Sequence, residues 1–560
     1  MKIINMSCSQ KRLLSHQLLI LGSFILATLV SSSHLFKGGY VVIRSSDFYF
    51  HFNRFVGVIE SLSSGNGLPK INTIFLNGWG YPSPLFYGDF ILSFGFIFYK
   101  LGFTALTSYK LFLMTLTFFC FVSTYYSMKV VVKKIEIAYL IALLYTLSTF
   151  RLYDLFVRNA LGEAIAFIFL PLIFVGMWSI RSKQEPSRWL LLALGMSGLV
   201  MTHLLTTIIV IIFLLLMIII DNRSYLRNKT NFISLLKAAG LTLGLSAMFV
   251  WPMLEQLVKM KLTINTNQLP IKSLFLTDFG KLIQQSLSNH ALVSGNIGLL
   301  LLAPLVIRGI LGRDKANNSL VKLADTVAIL GVLTMMAGTS LLPWDTLIKL
   351  PIISFIQFPF RWLSIATLLL AISGGIYLFE WTNSAVQVKL ARVALLILIT
   401  FLTMSYSQKI SRTKGDKVIN QTAIQPQQIG TGEEYLPIET DKTWVLSQTR
   451  ALRYNKSQIE ISQESVAGTT ITFNYENANQ AQVSLPLLYY PGYQAINNVS
   501  KEKLVITTGK HGEMVLNSLN GKGEIQVSYE GTLIQKVSLC VSLISTIILG
   551  MFLTKRWKHH

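Results

Sequence analysis

Apolar runs long enough to cross a bilayer recur along the chain, near residues 17 to 36, 107 to 128, 135 to 150, 163 to 180, 188 to 202, 204 to 220, 232 to 252, 296 to 311, 322 to 341, 362 to 379, 391 to 407 and 534 to 554. Each of these twelve predicts a membrane-spanning helix, because about 20 apolar residues match the hydrocarbon thickness. Between the last two runs the pattern changes. Residues 408 to 533 are polar, with alternating stretches such as "TTITFNY", "KLVITTG" and "EIQVSYEG" separated by Asn and Gly turns, which predicts strands. The expected fold is a polytopic α-helical membrane protein: a transmembrane domain over 1–407, a β-rich domain over 408–533, and a last helix with a basic tail over 534–560.

One further apolar stretch, Leu85 to Phe103, carries Asp89 and Lys100, so length alone does not decide whether it spans. Charge decides it. If the stretch lies along the surface as an interfacial helix within an outer loop 37–106, the basic segments Lys129 to Lys134, Arg181 to Arg188, Arg223 to Lys229, Arg308 to Lys322, Lys389 to Arg392 and Lys555 to Lys558 all fall on the cytoplasmic side. Both termini are then cytoplasmic, the first run is an uncleaved span, and the β-rich domain is extracytoplasmic.

Composition agrees with a bilayer as solvent: 52% of residues are hydrophobic and only 13% charged. The net charge of +23 invites a nucleic-acid partner. However, residues 408 to 533 hold twelve basic and twelve acidic side chains, so the whole excess lies in the membrane part, where it serves as an orientation signal. No nucleic acid is expected as a partner. The three cysteines, Cys8, Cys120 and Cys540, give neither a disulfide framework nor a metal-binding spacing.

The expected topology brings the unusual polar residues to the outer face. "DFYFHFNR" supplies Asp47, His51 and Arg54; "RLYDLFVRNALGEAIA" supplies Asp154, Arg158 and Glu163; "MTHLLT" supplies His203; and "IQFPFRWL" supplies Arg361. Each has a plainer alternative. Asp47 is a catalytic base, a solvated loop acid or an ion-pair partner of Arg54. Arg158 and Glu163 suit a structural pair at a helix start. His203 suits a helix-end contact, and Arg361 a snorkelling anchor.

The order of elements resembles the type C glycosyltransferases, which include the oligosaccharyltransferase catalytic subunit and the protein O-mannosyltransferases. The segments "DFYFHFNR", "GYPSPLFYGDF", "RNALGEA", "THLLT" and "QFPFRWL" resemble more closely a bacterial membrane family catalogued as 6-pyruvoyl-tetrahydropterin synthase-related, over Asp47 to Leu363. No pterin synthase zinc-ligand pattern is present. The resemblance implies a bacterial cell-membrane enzyme of the inverting type. It would move a sugar from a polyprenyl-phosphate donor in the membrane lipid to a cell-surface glycan or polymer, on the extracytoplasmic face. Asp47 would be the base, with His51, Asp154 and Glu163 as further catalytic candidates, and Arg54, Arg158, His203 and Arg361 as substrate ligands. The Asp-Phe of the first motif replaces an acidic pair, and "YDLF" lacks a second acid, so no cofactor is assigned and a divalent cation stays open.

Two other classes fit the same spans. A transporter or flippase of lipid-linked sugars requires ionisable residues along a path through the membrane, and a non-catalytic scaffold for surface polysaccharide assembly requires only the exterior domain. Convergence of the named polar residues favours the transferase.

Overall fold

The computed structural model describes residues 8–37, 40–42, 47–182, 187–265, 276–290, 292–293, 295–311, 317–350, 353, 356–383, 387–412, 417–419, 424–430 and 432–557. Parts of the basic loops (183–186 and 312–316) and the end of the tail (558–560) lie outside them. The chain forms two compact units: Met1–Ser46 with Lys110–Thr242 and Pro270–Gln421, and Asp47–Tyr109 with Leu243–Leu269 and Thr422–His560.

Among the described residues, eight helices are long and apolar enough to cross a membrane: Leu14–Ser31, Ala105–Val132, Leu161–Arg181, Lys229–Lys259, Ser319–Ala337, Pro359–Asn383, Val388–Arg412 and Leu533–Thr554. A ninth is available if Ile135–Thr146 and Thr149–Phe156, bent by 46° at their junction, count as one span. The other expected runs form shorter helices, Trp189–Val200, Leu204–Ile220 and Leu299–Ile310. Several long helices leave their apolar side chains uncovered, among them Leu19, Leu26, Phe401, Leu543 and Ile547. Surface of that kind is stable against lipid rather than water. The chain therefore has the make-up of a multi-pass membrane protein.

The first unit is built around Leu363–Asn383, which is buried almost throughout. Ser319–Ala337, Leu299–Ile310 and Ile135–Thr146 pack against it. Close approach needs a residue without Cβ at Gly375, where a methyl group would sit 2.5 Å from Ile141 Cγ1. Leu161–Arg181 and Trp189–Val200 form a helical hairpin. A short antiparallel ladder joins β1 (Tyr40–Val42) to β2 (Lys417–Ile419).

The second unit holds the β-rich domain, which stands where the alternating pattern predicts it, before the last helix. β3 (Arg453–Tyr454), β4 (Glu460–Ala467), β5 (Thr470–Leu488), β6 (Tyr493–Asn497), β7 (Lys503–Leu504), β8 (Ile506–Thr508) and β9 (Glu513–Tyr529) form one sheet in the order β3-β5-β9-β6-β7, with β4 on β5 and β8 on β9. Register shifts along β5 and β9 let both long strands bend around a core. That core includes Phe473, Leu485, Leu516 and Val527, and also Trp79, Tyr81 and Phe86 from far earlier in the chain.

Leu85 to Phe103 is not the single helix expected. It runs as Ser83–Phe86, a 3-10 turn over Ile91–Gly95, and Phe96–Lys100. The break falls between Phe86 and Ile91, where Tyr87 is extended and Asp89 is held by Arg54.

Candidate functional site

The eight candidate residues fall into two groups, one in each unit. In the second unit, Asp47 is the N-cap position of the helix Phe48–Ser63 and keeps a partly exposed side chain. That helix is rich in aromatics on its inward face, which buries Phe48, Phe52 and Phe55 and carries His51 and Arg54 inside with them. Two buried polar residues on such a face need partners, and they have them. Arg54 Nη2 donates to Asp89 Oδ1 at 2.6 Å, and its Nη1 lies 2.9 Å from His51 Nδ1. A guanidinium nitrogen can only donate, so Nδ1 accepts and the His51 proton sits on Nε2. Asp89 Oδ2 is buried without a hydrogen-bond partner among the described residues. Burial pushes the Asp89 carboxyl above its ordinary range, opposed by Arg54 and by Lys70.

The aromatic ring of Tyr87 is the hub of this group. The Arg54 guanidinium lies 4.7 Å above it, Phe50 and His51 meet its edge at 5.7 Å and 6.0 Å, and Tyr435 meets it at 6.5 Å. Tyr435 also stacks on Phe86 at 4.2 Å, and its backbone N–H donates to Tyr81 Oη at 3.2 Å. Next to it, Glu434 is half-buried. Burial pushes its carboxyl up, as do the negative charges of Asp47 and Glu433, while backbone N–H groups of Glu434 and Gly432 pull it down. Asp47 and Glu434 are thus within electrostatic reach of each other.

In the first unit the structure brings together Asp154, Arg158, Glu163 and Arg361. Asp154 lies on the short helix Thr149–Phe156 beyond the 46° bend. The chain then turns through Asn159 at φ +55, a left-handed position that Asn tolerates better than most residues. It re-enters a helix at Leu161, which puts Glu163 in the first turn, where the helix dipole favours a carboxylate. Arg158 Nη1 reaches Asp154 Oδ1 at 3.0 Å and Glu163 Oε2 at 2.8 Å. Arg361 Nε meets the same Glu163 Oε2 at 3.3 Å, and its Nη1 donates to Ile356 O at 2.8 Å and Gln357 Oε1 at 3.1 Å. Phe358 and Phe360 stack on each other beneath the two guanidinium groups. Asp154 Oδ2 and Glu163 Oε1 are buried with no hydrogen-bond partner among the described residues.

His203 stands at the start of Leu204–Ile220, a helix that packs beside the Pro359–Trp362 turn. Its Nδ1 accepts from the Thr206 N–H at 3.3 Å, so the ring caps the helix. Among the described residues no group of three or more His, Cys, Asp or Glu is placed to hold a metal ion.

Sequence reasoning missed Asp89, Tyr87, Glu434 and Tyr435. The first two lie inside "GYPSPLFYGDF", where the motif itself was the signal; for the others the only signal was an acidic pair beside glycines, "GTGEEY", in an otherwise alternating β segment.

No protein-family model matches the chain. A protein of Lactococcus lactis subsp. cremoris (strain MG1363), described as an uncharacterized protein, is 26% identical over 239 residues, covering 41% of this chain and 38% of that protein. The chain therefore spans less than two thirds of that relative's length.

Proposed function

We propose that this is a membrane glycosyltransferase of type C-like architecture, crossing the membrane about twelve times with both termini cytoplasmic. It moves a sugar from a polyprenyl phosphate to an acceptor in the cell envelope, outside the cell. The observation that supports the reading is that the helix headed by Asp47 carries Phe50, His51 and Arg54 into an aromatic group centred on Tyr87 and bordered by Tyr435. Acids that accept from hydroxyls, beside aromatic faces that cover the apolar side of a ring, suit a sugar.

In the reaction, the acceptor oxygen bonds to the anomeric carbon while the carbon–oxygen bond to phosphate breaks, its electron pair leaving with the polyprenyl phosphate. The hydroxyl proton passes to Asp47. His51, held as the Nε2–H tautomer by Arg54, is suited to donate a hydrogen bond and unsuited to take that proton. Asp47→Asn tests the reading in purified protein with an undecaprenyl-phosphate-linked hexose and a cell-envelope acceptor fraction. Transfer should fall a hundredfold or more, by the usual worth of a general base. Full activity in the variant removes Asp47 as base, and no transfer by the wild type removes the transferase reading.

A second reading, transport of a lipid-linked sugar, is favoured by one observation. The buried ionisable group at Asp154 lies directly after a bend of 46° between two apolar helices, the combination expected of a membrane path. Movement of the same donor across liposomes by the Asp47→Asn protein at the wild-type rate supports it.

A further inference from the structure

We propose that the β-rich domain carries an oxyanion site at Arg450 and Arg453, built against the turn of Gly78 and Trp79, and that its ligand is a phosphate or carboxylate group, free or borne on a glycan. The site shares no residue with the Asp47 group and stands whether or not the protein transfers sugar.

Two distant stretches of chain build it. "FLNGWGY" turns through Leu76, Asn77, Gly78 and Gly80, all at positive φ, and "WVLSQTRALRY" supplies Trp444, Gln448, Arg450 and Arg453. Asn77 Nδ2 joins the two by donating to Leu446 O at 3.2 Å. Arg450 lies on the turn itself: a Cβ at Gly78 would sit 2.6 Å from its Cδ and 2.7 Å from its Nε, so the cradle requires glycine. The Arg453 guanidinium lies 4.2 Å from the centre of the Trp444 ring and 5.3 Å from that of Trp79, and these two rings meet edge to face at 5.8 Å. His511 stacks on Trp444 at 4.1 Å. Aromatic faces hold a cation in place without using its N–H groups.

Those N–H groups are what the site offers. Among the described residues, Arg453 Nη2, Arg450 Nε and the indole Nε1 of Trp79 are buried with no hydrogen-bond partner, and the Trp79 side chain is buried completely. All three can only donate. Unpaired buried donors are costly and uncommon, so three of them about one turn call for an acceptor. The acceptors and acids close by are already engaged. Gln448 Oε1 takes Arg453 Nη1 at 3.3 Å, and Gly468 O takes Arg450 Nη2. Glu513, whose charge reaches Arg453, accepts from the His511 N–H at 2.8 Å; Asp441 lies 3.6 Å from His511 Nδ1 and accepts from Trp444 N at 3.0 Å. Two guanidinium charges with their donors left over select an anion over a neutral hydroxyl, and the planar fork of arginine matches the oxygens of carboxylate or phosphate.

The experiment is calorimetric titration of the full-length protein in detergent, in a buffer free of phosphate and carboxylate, with inorganic phosphate, glucose 1-phosphate, glucuronate and glucose. The anions should bind and glucose should not. Arg453→Lys keeps a charge between the two rings but loses the fork, and should weaken anion binding about tenfold; Arg450→Gln should do so by a similar factor. Inorganic phosphate bound as tightly as glucose 1-phosphate identifies a free oxyanion as the ligand, whereas tighter glucose 1-phosphate or glucuronate identifies an anion borne on a sugar. Thermal unfolding without ligand shows which variants are folded, and the wild-type titrations decide the matter independently of them. No anion binding to the wild type, equal affinity in wild type and both folded variants, or glucose bound as tightly as glucose 1-phosphate overturns the inference.

Discussion

Arg54 binds His51 and Asp89 with one guanidinium, at 2.9 Å and 2.6 Å, so a single side chain sets both the tautomer of the imidazole and the charge state of its surroundings. All three are at most 5% exposed. Removing Arg54 leaves the buried Asp89 carboxyl without its hydrogen-bonded partner and with only the charge of Lys70 to balance it. Arg54→Ala should therefore destabilise the protein by about 3–5 kcal/mol, while Arg54→Ala with Asp89→Ala should recover most of the loss. Thermal unfolding in detergent separates the two, and equal midpoints for wild type and Arg54→Ala would show the pair to be structurally idle.

Glu163 accepts from both Arg158 and Arg361, through one oxygen. Glu163→Ala takes from the buried Arg361 its carboxylate partner and leaves Arg158 with Asp154 as its carboxylate, which should cost about 3 kcal/mol, visible as loss of monodisperse protein on size exclusion. Arg361→Lys should cost less, about 1–2 kcal/mol, because charge remains while the fork that also reaches Ile356 and Gln357 is gone. Wild-type stability for Arg361→Ala, with only weaker donor affinity, would instead mark Arg361 as a phosphate ligand.

Stability should fall as pH rises through the range where Glu434 ionises. Its folded carboxyl is pushed above the ordinary value of 4.5, so the folded state holds its proton to higher pH than the unfolded state. Above 4.5 the unfolded chain releases that proton first, and stability declines until the folded value is passed. Asp89 acts in the same direction from 3.8. Glu434→Gln removes its share of the slope, measurable as a flatter dependence of Tm on pH.

Gly57 lies against Asn72, whose carboxamide a Cβ would overlap. Asn72 Nδ2 donates to Asn53 O at 3.3 Å, and its Oδ1 accepts from Ile74 N at 2.9 Å, so it cannot move without losing both. Gly57→Ala should cost about 1–3 kcal/mol as an overpacked contact, with Asn72→Ala alone partly compensating when combined with it.

How much of this was legible in the chain depends on how local the cause is. Run length identified the eight long helices, and strict alternation identified the sheet before Leu533. The run at 135 to 150 read as one span, and the chain bends within it at Ser148, which takes an extended ψ of 143, a choice that hydropathy does not encode. Asp154, Arg158 and Glu163 were visible together because they are neighbours in sequence. Arg361 joins them from 198 residues away through Glu163, and Asp89 meets Arg54 across 35 residues. Residue type pointed to candidates, whereas pairing depended on the fold.

The compact unit that carries Asp47 is assembled from three separate stretches of chain, and this orders events in time. Arg54 and Asp89 are 35 residues apart and can pair almost as soon as they are made. Asn53, one residue before Arg54, donates to Gln425 O across a separation of 372 residues. At about 5–20 residues per second, the ribosome delivers that partner roughly 20–75 s later. Throughout that interval Phe86 waits for the ring of Tyr435, and the early half of the group stands with its pairing complete and its covering half not yet synthesised.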